Sequence, residues 1–84
     1  MSGQYPPLNP AQVEVILQKA GFTFKSNEGS HFVWEGKIKG RRHIVPVDHL
    51  GGQRSETFSQ SLLNRMIRES GLTKKEFYRY HWKK

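Results

Sequence analysis

The feature that most constrains this chain is a double change of hydrophobic period. Val13, Ile16, Leu17 and Ala20 recur at helical spacing until Gly21 stops the pattern. From Phe22 to Val47 apolar residues alternate in three short runs. From Phe58 to Ile67 the spacing returns to that of a helix, and Gly71 ends it. None of these elements can bury its apolar side alone, so all must share one core.

Local signals sharpen this outline. Asn9-Pro10 with Gln12 is a capping box with proline at the first helical position, which predicts a helix over 10–20. Phe22-Thr23-Phe24-Lys25 reads as a first strand, and Ser26-Asn27-Glu28-Gly29 as turn chemistry. His31 to Lys37 reads as a second strand, with Phe32 and Trp34 on one side and His31, Val33 and Glu35 on the other. Gly36 and Gly40 bracket a loop in this reading, and Arg42 to Val47 forms a third strand. Pro46 has no N–H to donate and belongs at an edge or a strand end. The short connections predict an antiparallel meander.

"DHLGGQRSE" (48–56) reads as a loop, with Ser55 as an N-cap for the second helix. Thr73-Lys74-Lys75-Glu76 is another capping box, opening a short final helix through Phe77 and Tyr80. The expected fold is α+β: α-β-β-β-α, a three-stranded antiparallel sheet with helices on one face and a short C-terminal helix. That arrangement is the one seen in double-stranded RNA-binding domains. Residues 1–8 read as a mobile arm ahead of a single domain over 9–84.

Charge narrows the partners. Lys and Arg total 14 against 7 acids, a net charge of +7 that attracts polyanions. Lys37, Lys39, Arg41 and Arg42 form a run without an acid, suited to phosphates along an RNA strand. A solvated basic turn is the competing reading, strongest for Lys37 and Lys39. The tail "KKEFYRYHWKK" interleaves cations with aromatics, either as a stacking platform for single-stranded RNA or, more simply, as core packing.

Other classes are excluded. Without cysteine there is no thiol catalysis and no cysteine zinc site, and the composition suits a reducing cytosol. No apolar run approaches the roughly 20 residues of a membrane span. The N-terminus lacks signal-peptide architecture, so a cytoplasmic protein is expected. Asp48 is the one aspartate and the glutamates are scattered, so neither a two-metal site nor another cofactor is expected.

His31 is the leading catalytic candidate. An imidazole exchanges protons near neutrality, while Gly29 permits a tight turn and Ser30 is small enough for a large substrate to approach. RNA needs only a base for the ribose 2′-OH, an acid for the departing 5′-oxygen and cations for the phosphate. His43 reads as a polar residue on the exposed side of the sheet, with a second proton carrier as the alternative.

The string "AGFTFKSNEGSHFVW…GRRHIVPV", followed by a helix ending "IRESGLTKKEF", resembles the HicA toxins, the mRNA-cleaving partners of HicA–HicB toxin–antitoxin pairs. The resemblance covers residues 11 to 77 and rests chiefly on Ala20-Gly21-Phe22, Gly29-Ser30-His31, Val45-Pro46 and Ser70-Gly71-Leu72. It implies a metal-independent endoribonuclease with His31 as the catalytic histidine and a HicB-type antitoxin covering the site. Family members commonly carry a histidine as Pro-x-His. Here Pro46-Val47-Asp48-His49 is one residue longer, which makes His49 an assisting candidate at a shifted position. The rivals are a non-catalytic RNA-binding module of the same fold and an adaptor that meets only a protein.

Overall fold

The computed structural model describes residues 5–48 and 56–82. The elements are α1 (Pro10–Lys19), β1 (Thr23–Glu28), β2 (His31–Ile38), β3 (Arg41–Asp48), α2 (Gln60–Ser70) and α3 (Lys74–Trp82). The strands form one antiparallel sheet in the order β1-β2-β3, so the chain is α+β with the expected meander. Pro46 lies in an edge strand, as its missing donor requires.

The caps explain where the helices begin. Asn9 Oδ1 accepts from the Gln12 N–H at 2.8 Å, and Gln12 Oε1 accepts from the Asn9 N–H at 2.9 Å. Thr73 and Glu76 make the same reciprocal pair at 3.1 and 2.9 Å. α2 starts later than expected, at the N-cap Ser59, whose Oγ accepts from the Leu62 N–H at 3.3 Å. Ser55 lies outside the described residues. Phe58 precedes the helix instead of opening its stripe, and is buried at the staple position opposite Leu63.

Both hairpins are tighter than the sequence suggested. β1 continues to Glu28, and the turn is only Gly29-Ser30. Gly29 has φ +62° and Ser30 does not lie in the left-handed region, as in a type II′ turn. Lys39 (φ 53°) and Gly40 (φ 80°) join β2 to β3 with the two positive angles of a type I′ turn. Gly36 is therefore inside β2 and bounds no loop. A Cβ there would lie 2.6–2.9 Å from the Phe22 ring, so the glycine makes room for a buried aromatic.

Opposed residues of an antiparallel pair share a face, so the register sorts the sheet. Phe32, Trp34, Gly36 and Ile38 oppose Val47, Val45, His43 and Arg41 on the helix side. His31, Val33, Glu35 and Lys37 oppose Asp48, Pro46, Ile44 and Arg42 on the outer side. The core joins Val45 and Val47 to Val13, Ile16 and Leu17 of α1, Leu63 and Met66 of α2, and Phe77 and Tyr78 of α3. Trp34 Nε1 donates to Glu14 Oε2 at 3.3 Å, tying β2 to α1. The helices pack chiefly on β3 and on one another, which leaves Phe24 of β1 half-exposed against Phe32 and Trp34.

The expected arm over 1–8 and the aromatic tail meet. Leu8 is fully buried, and its carbonyl accepts from the Phe58 N–H at 2.8 Å. The Tyr78 hydroxyl donates to the Pro6 carbonyl at 2.6 Å, while Tyr5 packs on Tyr78 and Trp82. Residues 5–8 thus belong to the packed domain. Phe77 and Tyr78 serve that packing and offer no base-stacking platform. Among the described residues no helix is long and apolar enough to cross a membrane.

Candidate functional site

His31 opens β2 directly after the Gly29-Ser30 turn, on the outer face of the sheet, away from the side on which the described helices pack. Its half-buried ring lines an open groove of about 440 Å³, together with Lys25, Ser26, Glu28, Val33, Ile44, Pro46 and Arg65. Val33, Ile44 and Pro46 are the apolar part of this lining, and Lys25 and Arg65 are its cations. Ser30 Oγ lies 3.4 Å from His31 Nδ1. A polyanion can therefore approach this imidazole from solvent.

One irregularity builds the groove. β1 and β2 pair Phe24 with Trp34 and then Ser26 with Val33, so Lys25 is an extra residue on β1. Such a bulge reverses the alternation beyond it and re-aims the following side chains. Lys25 and Ser26 both reach the outer face, and Glu28 comes to lie directly opposite His31. With Asp48 opposite His31 on β3, the imidazole stands between two carboxylate-bearing positions.

The expected RNA contacts divide between two ends of the sheet. Gly29 and Ser30 adjoin His31, whereas Lys37 and Arg42 form the opposed pair six residues along β2 from it. At about 3.3 Å per residue that separation is about 20 Å. Arg41, Arg42 and Lys37 are exposed there. Arg42 pairs with Glu35, which Lys25 also approaches at 3.5 Å. The Arg42 hydrogen bond is the main reason the Glu35 carboxyl titrates below its ordinary range. Lys39 Nζ is held by Glu76 Oε1 at 3.1 Å, at the cap of α3. The Thr73 backbone N–H, more than Lys39, lowers the Glu76 pKa.

The cations that line the groove with His31 are thus Lys25 and Arg65, which the reading by sequence had not singled out. Lys25 is placed by the bulge. Arg65 is an exposed helix residue that also pairs with Glu69 at 3.6 Å, and nothing local marks it.

His43 is on the helix side of the sheet, contrary to the expected exposed side. Its Nδ1 lies 3.1 Å from the Glu69 carbonyl, and its ring covers Gly71, the left-handed cap of α2 (φ +79°). It clips β3 to the end of α2 and shares no face with His31. His49 lies outside the described residues; Asp48, just before it, is the register partner of His31. Among the described residues no group of three or more His, Cys, Asp or Glu is arranged to hold a metal ion.

The fold and the groove define a small α+β domain whose open sheet face presents a histidine among cations. No family model matches the chain, and no curated protein matches it.

Proposed function

We propose that this protein is an endoribonuclease of HicA type, cleaving single-stranded mRNA by metal-independent general acid–base chemistry centred on His31. One observation carries the reading: His31 is half-buried on the outer face of the sheet, in a groove that Lys25 and Arg65 also line. The 2′-oxygen attacks the adjacent phosphorus, the bond to the 5′-oxygen breaks, and the imidazole moves protons at the reacting atoms. Lys25 and Arg65 stabilise the charge building on the phosphate. Lys37 and Arg42, on the same face as His31, contact the strand further along, and the exposed Arg41 adds to the basic end of the sheet from the other side. Such contacts grip phosphates without reading bases. His49 is the assisting residue that the resemblance to HicA toxins suggests. A HicB-type antitoxin with an acidic surface occludes this groove, since a basic rim steers such a partner in quickly. The protein acts in the cytoplasm, where mRNA and such a partner are met.

The test is incubation of purified protein with unstructured RNA in EDTA, beside His31→Ala. Scission by the wild type and a loss of about 10²-fold or more in the variant is expected. Binding without scission would replace this reading by the non-catalytic RNA-binding module, which the exposed cations about 20 Å from His31 would serve equally well. No RNA affinity at moderate salt would leave only the protein-binding adaptor.

A further inference from the structure

A single imidazole cannot both hold a proton for the leaving oxygen and accept one from the attacking hydroxyl at the same moment. The groove contains a second group suited to this. Among the described residues that line the groove, Lys25 and Arg65 are cations and Glu28 is the carboxylate; Asp48, the other cross-strand partner of His31, is not part of that lining. Glu28 is the direct cross-strand partner of His31, a position in which Cβ atoms stand about 4.5–5.5 Å apart. Its Oε2 accepts from Ser26 Oγ at 2.9 Å, a bond that leaves Oε1 able to take a proton. Only the bulge at Lys25 brings it there, for regular alternation from Phe24 would turn Glu28 to the opposite side.

We propose that Glu28 is the general base and His31, as imidazolium, the general acid. The inference rests on the ribonuclease reading above. Glu28 Oε1 takes the proton of the ribose 2′-OH as the 2′-oxygen forms its bond to phosphorus. The bond from phosphorus to the 5′-oxygen breaks, and His31 gives its proton to that oxygen. The products are a 2′,3′-cyclic phosphate and a 5′-hydroxyl. Glu28 is left protonated and His31 neutral, and proton exchange with solvent restores both. Ser26 is a positioning residue. Among the described residues, the charged groups facing the pair are Lys25 from β1, Asp48 from β3 and Arg65 from α2.

This division of labour has a signature in the pH profile. A carboxylate base with an imidazolium acid gives a bell: activity rises as a carboxyl ionises and falls as an imidazolium loses its proton. A lone histidine acting as base would instead give activity that rises with pH and then levels. The experiment records single-turnover cleavage of a short unstructured RNA against pH for wild type, Glu28→Gln, Glu28→Asp and Ser26→Ala, with thermal melts for each.

The expected result is a bell for the wild type. In Glu28→Gln the rate falls by about 10²-fold or more and the ascending limb disappears, with melting unchanged. Glu28→Asp should restore that limb at reduced rate, and Ser26→Ala should keep the limb with a smaller loss. Cleavage by Glu28→Gln at the wild-type rate with an unchanged profile would overturn the assignment while leaving His31 and the ribonuclease reading intact. A wild type that does not cut RNA overturns both. If Glu28→Gln loses activity only in proportion to lost folding, and Glu28→Asp recovers none, Glu28 is structural and the assignment fails.

Discussion

Replacing Gly36 by alanine should destabilise this domain, although alanine ordinarily suits a strand better than glycine. Two effects oppose each other. Gly36 has no positive φ, so alanine fits the backbone and restricts the unfolded chain, a gain of about 0.4–1 kcal/mol. Against this, the new Cβ would lie 2.6–2.9 Å from three atoms of the Phe22 ring. That ring is buried, so it has no solvent to move into. Overpacking of this kind costs about 1–3 kcal/mol. A buried ring with three atoms met below 3 Å belongs at the middle to upper end of that range, so the balance is a loss of about 1–2 kcal/mol. At about 4–8 °C per kcal/mol for a domain of this size, the melting temperature should fall by about 5–15 °C. Circular dichroism melts and urea titrations measure this directly. A double-mutant cycle supplies the mechanism. Phe22→Ala removes all three of those atoms, so the double variant should be more stable than the sum of the singles by at least about 0.5 kcal/mol. A Gly36→Ala protein that melts at or above the wild type would refute the steric argument, and so would strict additivity.

Three further outcomes follow from the same geometry. His43→Ala should cost about 1 kcal/mol in urea denaturation, through the lost contact with the Glu69 carbonyl, and should leave RNA cleavage per folded molecule unchanged. Ser59→Ala should cost about 1 kcal/mol in urea denaturation by removing the α2 cap. Glu35 and Glu76 both titrate below the ordinary glutamate value of 4.5, so the folded state binds fewer protons than the unfolded state just below that value. Their contribution is present above about pH 4.5 and is lost as pH falls through the lowered values, so Glu35→Gln and Glu76→Gln should each flatten stability against pH on the acid side.

Much of the fold was legible because its signals are local. The capping boxes at Asn9 and Thr73 depend on residues three apart, and both formed as read. Gly71 stops α2 because a left-handed residue is needed at that point. Ser70 and Leu72, which looked like family punctuation, turn out to be buried on either side of it: Ser70 Oγ donates to the Ile67 carbonyl at 2.6 Å and accepts from the Leu72 N–H at 3.2 Å. Misreadings came where a distant residue decided. Gly36 looks like a loop boundary until Phe22 is placed above it. His43 looks like a surface strand residue until the end of α2 arrives beneath it.

The amino-acid order by itself determined the elements, the meander and the placing of His31 opposite Phe32 and Trp34, because period and capping act within a few residues along the chain. What only the tertiary structure decided is which groups surround that imidazole. The extra residue at Lys25 reverses the phase of β1, the packing of α2 brings Arg65 to the rim, and strand pairing carries Arg41 and Arg42 to the far end of the sheet. Each of these depends on register between segments distant in sequence, which no local pattern encodes.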